Sequence, residues 1–429
     1  MSRTTALPGF RDFFPADFAI RAHITETWRQ VARRHAFEEF DGPPLEALEL
    51  YTEKSGEEIV GQLYNFTDKG GRDVALRPEM TPTVARMIGA RAGALRKPIR
   101  WFSVPQLFRY ERTQRGRLRE HFQWNVDIVG EADIAADAEV LATALDALVA
   151  LGLSASDVVA RFNDRRLLEW LFLHAGVPEG RLLAAYGAVD RLTREPAERV
   201  RERLVEAGLT ERVADAVLHV FSVGGGLDGI GAEFGAQEGV ADAITRLQRY
   251  RDDLENLGLG DFIAFDPAIV RGLAYYTGTV FEIFDRKGEL RAICGGGRYD
   301  GLLRSVSAVD MPAVGFGMGD VVLTELLSER GLLPGYAPSV DYYLVAVTDV
   351  ERPLLRRIAA RLRAGGASVA YGLRAAGVGR QFKDADAVGA LRAVVIGPDE
   401  TAAGVALVRS MDTGEERRVP LAELTGGAR

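Results

Sequence analysis

FRYERTQRGRLREHFQWNVDI, residues 108–128, carries alternating polar and apolar side chains at its two ends and a basic, glycine-containing run between them. Alternation with that period belongs to half-buried strands, and the middle reads as the loop joining an antiparallel pair. Arg109 and Glu111 fall on the first strand, Gln123 and Asp127 on the second, and Arg112, Arg115, Arg117 and Arg119 in the loop. Residues two apart on a strand share a face. A strand pair that only filled a core would not carry arginines, carboxylates and an amide there.

Two other parts of the chain repeat this pattern. RGLAYYTGTVFEIF (271–284) has the β-branched and aromatic content of a strand yet holds Arg271, Tyr275, Tyr276 and Glu282; CGGGRYDGL (294–302), with Tyr299, follows it. LRPEMTPT (76–83) spaces Arg77, Glu79 and Thr81 so that strand alternation would put all three on one face. Together the three clusters predict a polar binding floor built on antiparallel strands. An arginine offers a rigid fork of donors suited to phosphate or carboxylate. Glu79 and Asp127 are suited to receive an ammonium or an imidazole N–H.

The bulk properties bound the rest. A chain of 429 residues predicts two or three domains. With 47% hydrophobic and 27% charged residues it reads as an ordinary globular protein. It has no apolar run of bilayer length, and its first residues lack the apolar core of a signal peptide. The single cysteine, Cys294, excludes an internal disulfide and multi-cysteine metal sites, and reads as a small buried filler. The expected compartment is the cytoplasm, with no membrane partner and no metal held by protein side chains alone. A net charge of −8 leaves room for a local basic track along nucleic acid.

Helical spacing covers 17–36, 81–95 and 132–152; residues 62–80 read as a hairpin, and 98–130 and 261–301 as strands. Residues 155–258, rich in Leu, Ala, Arg and Glu, read as a helical insert. GFGMGDVVLTELL (315–327) reads as strand, glycine turn and helix. After the Pro/Gly linker at 332–340 the chain alternates β-α-β-α-β. GGGLDG (224–229) matches G-x-G-x-x-G but follows a helical pattern, so it reads as a loop rather than a dinucleotide site. There is no P-loop, no H-E-x-x-H and no local support for a serine or cysteine triad.

These stretches resemble the histidyl-tRNA synthetases, a family of class II aminoacyl-tRNA synthetases. FRYERTQRGRLREHFQ resembles the second motif of that class and PAVGFGMG (312–319) the start of the third. RGLAYYTGTVFE and CGGGRYDGL resemble the family's two histidine signatures. GRQFKDADAVGALRAVVIGPDE (379–400) is similar to part of its anticodon-binding domain. The resemblance implies an α+β fold: a class II synthetase core of antiparallel sheet with flanking helices, a helical insertion, and a C-terminal α/β anticodon-binding domain. The divisions it implies are 1–154 and 259–331 for the catalytic core, 155–258 for the insertion and 339–429 for the anticodon-binding domain. It implies ATP-dependent activation of L-histidine to histidyl-adenylate and transfer to the 3′ end of histidine tRNA. ATP is then a substrate, with Mg2+ expected alongside it, and the assembly a homodimer with Pro43 near the interface.

Carried over residue by residue, the resemblance makes Arg109 and Arg271 the catalytic cations at the α-phosphate. It gives histidine binding to Glu79, Thr81, Gln123, Asp127, Tyr275, Tyr276 and Tyr299, with Asp127 and Tyr276 reading the imidazole. ATP contacts fall to Arg109, Glu111, Arg117 and Arg271, and tRNA contacts to Arg112, Arg115, Arg380 and Lys383. Three positions depart from the family pattern: Val322 stands where the third motif has an ATP-tail arginine, Ala274 where an aspartate is usual, and Asp127 where a glutamate is usual. Arg117 is the expected replacement for the missing arginine. Two other readings share the same core: a synthetase-like regulatory subunit of ATP phosphoribosyltransferase, and a histidine- or tRNA-sensing paralogue.

Overall fold

The computed structural model describes residues 5–52, 61–192, 195–270, 275–307 and 309–425. Contacts divide the chain into two units, 1–334 and 335–429. In the first, β1 (Glu38–Glu39) precedes a small antiparallel sheet of β2 (Leu45–Ala47), β3 (Tyr64–Thr67) and β4 (Asp73–Leu76), with β4 in the middle. Then come β5 (Ile99–Ser103), β6 (Gln106–Phe108), β7 (Glu120–Val129), β8 (Val158–Asp164), β9 (Ile263–Phe265), β10 (Thr279–Asp285), β11 (Cys294–Arg298) and β12 (Ala313–Gly319). They form the central sheet in the order β1-β5-β7-β12-β11-β10-β8-β9, with β6 also on β7. Apart from the parallel end pairs β1–β5 and β8–β9, every pairing is antiparallel.

One face of this sheet is covered. Helix Pro15–Arg34 buries Ile24, Trp28 and Val31, which recur at helical spacing, and Trp28 stacks on Trp124 of β7 at 6.0 Å. Helix Ile134–Ala150 starts at Asp133, whose side chain accepts from the Ala135 N–H. Its buried Asp137 receives Arg298 from β11, a side chain with no exposure. Arg298 also donates to the carbonyls of Glu131 and Asp133, so its donors are met as burial of a charge requires.

Where the first helix ends, His35 lies between two carboxylates, Nε2 2.8 Å from Asp146 and Nδ1 3.1 Å from Glu139. Those bonds, the Asp146 one first, push its pKa up to about 9 from an ordinary 6.5. A raised folded-state pKa stabilises fully below the unfolded value and is lost as pH rises through the folded one. His35→Gln should therefore cost about 2 kcal/mol at pH 6, after allowance for partial solvation, with the cost shrinking as pH rises from 6.5 and nearly gone by about pH 9. Urea unfolding at the two pH values measures it; a cost that does not change with pH would refute the charged pair.

Several local readings change. Residues 158–164, expected within the helical insert, are strand β8 of the central sheet; the helices begin at Arg165, after the Asp164 cap. The strand VVARFND is buried along nearly its whole length and shows no two-residue alternation of apolar and polar side chains, so periodicity alone does not separate it from a helix. GGGLDG is no simple loop: Gly225, at φ +83°, caps a helix that begins at Gly226. Of the strand expected over 271–284, residues 271–274 lie outside the described residues, 275–278 are not strand, and Thr279–Asp285 is β10. Helix Thr81–Arg91 opens with Pro82 in its first turn, so Thr81 begins a helix and Arg77, Glu79 and Thr81 do not alternate along one strand.

The second unit has the sheet order β14 (Val369–Tyr371), β13 (Val340–Ala346), β15 (Ala390–Ile396), β16 (Val405–Ser410), β17 (Glu416–Pro420), in which β13 runs parallel to both its neighbours. Helices Arg352–Ala364 and Val378–Ala387 make the two crossovers between the parallel strands. The antiparallel β16 and β17 extend the expected β-α-β-α-β pattern.

Candidate active site

The opposite face of the central sheet, covered in part by helices Thr81–Arg91 and Leu302–Ser307, holds a trough with a glycine floor. On β7 the polar residues stand at every second position: His121, Gln123, Asn125 and Asp127. Register places Asp127 opposite Gly315, Asn125 opposite Gly317 and Gln123 opposite Gly319 on β12. Beyond them Gly297 and Gly295 of β11 face Gly315 and Gly317, and Val280 and Glu282 of β10 close the far side. Directly paired residues of neighbouring strands share a face, so glycines form the floor and polar side chains one wall.

The fit of that floor is close. A Cβ on Gly315 would lie 2.2 Å from Asp127 Oδ1, and one on Gly317 2.8 Å from Gln123 Cδ. A Cβ on Gly297 would lie 2.9 Å from the Tyr276 ring. Only glycine lets these side chains lie flat across the strands. Gly317→Ala should push Gln123 out of place and raise KM for the trough's substrate roughly tenfold, given a few kcal/mol for a crowded contact. Initial-rate kinetics check it, and an unchanged KM would mean that Gln123 is not part of the binding surface.

At one end the Tyr299 hydroxyl donates to Asp127 Oδ1 in a buried, short contact. Tyr275 packs against Tyr276 at 5.0 Å and edge-on to Tyr299 at 6.1 Å, making an aromatic wall. Burial pushes the Asp127 pKa up to about 7, with the Tyr299 bond opposing the rise. At the other end Arg109 leaves β6, and its Nε donates to the Pro78 carbonyl at 2.9 Å, beside the buried Glu79. His121, near Arg109 and Arg11, is kept neutral: burial and then those guanidiniums push its pKa down to about 3.

Over this end folds the hairpin 109–119. Gln114 and Arg117 pair across its tip, and Gly116 takes φ +73°. Arg117 Nε is 3.2 Å from Glu111. Arg115 reaches the helix Asp320–Glu329, bonding Glu325 at 3.2 Å and Glu329 at 2.5 Å. Arg112 is exposed.

The sequence-predicted residues thus divide. Asp127, Gln123, Tyr275, Tyr276, Tyr299, Glu79 and Arg109 come together around the trough, with Thr81 at the head of the adjoining helix; Arg117 and Glu111 pair in the hairpin above. Arg271, with Ala274, lies outside the described residues. Arg77 is buried against Asp41, the Gly42 carbonyl and the Gln106 carbonyl, which makes it a tie between loops. Arg115 is engaged by the two glutamates. Arg380 pairs with Asp384 at 3.0 Å and Lys383 is exposed, both in the second unit. Sequence reasoning passed over His121 and Asn125, although their spacing from Gln123 and Asp127 was the signal. It also passed over Arg11, whose bonds to Glu120 at 2.6 Å and Asp320 at 2.9 Å tie the N-terminal segment to β7 and the glycine-led helix.

A largely antiparallel sheet with a strand–hairpin–strand and a glycine strand running into a helix is the core of a class II aminoacyl-tRNA synthetase. Solved structures agree on the fold. The histidyl-tRNA synthetase from Nostoc sp. is 24% identical, with a TM-score of 0.81 over 99% of this chain and 98% of that one. The apo S. aureus histidyl-tRNA synthetase is 23% identical, with a TM-score of 0.70 over 98% and 99%. A family model for histidyl-tRNA synthetase matches residues 9–320, and one for an anticodon binding domain matches 341–427. The histidine–tRNA ligase of Opitutus terrae is 44% identical over 98% of this chain and 97% of its own length. That of Natronomonas pharaonis is 42% identical over 97% and 96%. The chain belongs to the histidyl-tRNA synthetase family.

Proposed function

We propose that the trough is where L-histidine and ATP react, in a chain that charges histidine tRNA. The reaction has two steps. The histidine carboxylate attacks the ATP α-phosphorus and pyrophosphate leaves, giving histidyl-adenylate. A hydroxyl at the 3′ end of histidine tRNA then takes the acyl group, and AMP leaves.

The observation that carries this reading is the register that sets Asp127 and Tyr299 at one end of the glycine floor and Arg109 near the other. From Asp127 to His121 the strand rises about 20 Å, enough for an aminoacyl-adenylate laid along it. Asp127, oriented by the Tyr299 hydroxyl, receives an imidazole N–H, and Tyr275 and Tyr276 wall the ring. An amino acid without that N–H leaves the buried carboxylate unpaired, which is the strong form of rejection. Glu79, Thr81 and Gln123 take the ammonium and neighbouring atoms. Arg109 opposes the charge that builds on the α-phosphate, and Arg271 would do so from the other side. Glu111 and Arg117 face the nucleotide. Mg2+ enters with ATP as part of the substrate. The working assembly is a homodimer in the cytoplasm; among the described residues no helix is long and apolar enough to cross a membrane. Arg112 and Arg115 on the hairpin, and Arg380 and Lys383 on the C-terminal unit, are the tRNA contacts in this reading.

Histidine-dependent ATP–pyrophosphate exchange, followed by charging of histidine tRNA, tests it. Exchange that requires histidine, with charging, is expected. Histidine binding without exchange would leave a sensing paralogue, and neither binding nor exchange would sink the assignment of the trough.

A further inference from the structure

The helix Asp320–Glu329 begins where β12 ends, and its third residue is Val322, an apolar side chain 9% exposed. The hairpin tip rests directly on it. The Gly116 N–H donates to Glu325 at 3.1 Å, and a Cβ on Gly116 would lie 3.2 Å from Val322 Cγ2. The same Cβ would lie 3.6 Å from Arg291 Cδ. Val322 and Arg291 therefore stand side by side beneath the hairpin glycine. Arg291 comes from the connection between β10 and β11, just before the pairing of Cys294 with Met318, and is exposed.

We infer that Arg291 supplies the guanidinium that binds the two distal phosphates of ATP, in place of the side chain that Val322 lacks. The inference rests on the adenylation reading above. A nucleotide with its α-phosphate at Arg109 runs its remaining phosphates under the hairpin. When the bond from the α-phosphorus to the bridging oxygen breaks, its electron pair stays on the departing pyrophosphate, and charge grows there. Arg117 pairs with Glu111 and Arg115 with Glu325 and Glu329. Both sit on the hairpin itself. Arg291 instead approaches from the sheet edge below, where its planar fork can meet two phosphate oxygens together.

The test is calorimetric binding of Mg2+-ATP and of AMP to the full chain and to Arg291→Ala. AMP carries no distal phosphates. Arg291→Ala should weaken ATP binding at least tenfold and leave AMP binding within twofold, with an unchanged melting temperature because the side chain is exposed. In pyrophosphate exchange the same variant should raise KM for ATP at least tenfold and leave KM for histidine within twofold. ATP binding within twofold of wild type, or equal losses for ATP and AMP, would overturn the inference. Binding is read without turnover, so an inactive wild-type chain would count against the adenylation reading alone.

Discussion

Asp127→Ala lowers kcat/KM for histidine in pyrophosphate exchange by about three orders of magnitude, as expected for a buried site built to pair a polar group that is then left unmatched. KM for ATP moves less than threefold, because Asp127 lies at the far end of the trough from Arg109. Asp127 is 5% exposed and its Oδ1 already receives the Tyr299 hydroxyl. In the proposed reading the other oxygen takes the imidazole N–H. Asp127→Asn sharpens the test by keeping the shape and removing the charge. Burial raises the carboxyl to about 7. A carboxylate raised on folding contributes stability that is full at low pH and lost as pH rises through the folded value. Wild-type melting temperature, compared with Asp127→Asn at each pH, should therefore fall between about pH 4 and pH 7. A difference flat across that range would mean that Asp127 is ionised throughout. Equal losses of histidine and ATP affinity in the alanine variant would mean that it holds the sheet together and does not read the substrate.

Arg109→Ala lowers the rate of adenylate formation by about 10²–10³, the usual cost of removing one preorganised donor from a developing charge. The histidine dissociation constant stays within twofold. The Pro78 carbonyl holds Nε, so the guanidinium is set in place before substrate arrives. Arg109→Lys keeps the charge and loses the fork, and recovers part of the rate. Single-turnover adenylation beside equilibrium histidine binding separates the two effects. A parallel loss of both would place Arg109 among the structural ties, with Arg77.

The two arginines illustrate how far local pattern reaches. Arg77 and Arg109 each lie in a polar, strand-like stretch, and nothing in their neighbours distinguishes them. In the fold, Arg77 turns inward to Asp41 and two carbonyls, and Arg109 bonds the Pro78 carbonyl near His121 of β7. Arg298 lies in a signature rich in glycine, but its partner is Asp137, 161 residues away and fully buried. The hydroxyl that meets Asp127 is that of Tyr299, 172 residues away, which the resemblance gives only as one of the histidine-binding residues.

The sequence alone determined what depends on period and composition. The alternating stretch 120–129 is strand β7, whose Gln123, Asn125 and Asp127 share a face, and the β-α-β-α-β tail is a separate unit. Its motifs place it in its family. Tertiary structure alone decided which strands neighbour one another, that β8 belongs to the central sheet, and that Gly315 and Gly317 lie beneath Asp127 and Gln123. It also decided that Gly116 seats on Val322 beside Arg291. Period is a property of one segment. Partnership depends on register between strands far apart in the chain, and a single-residue slip would turn every one of these side chains to the other face.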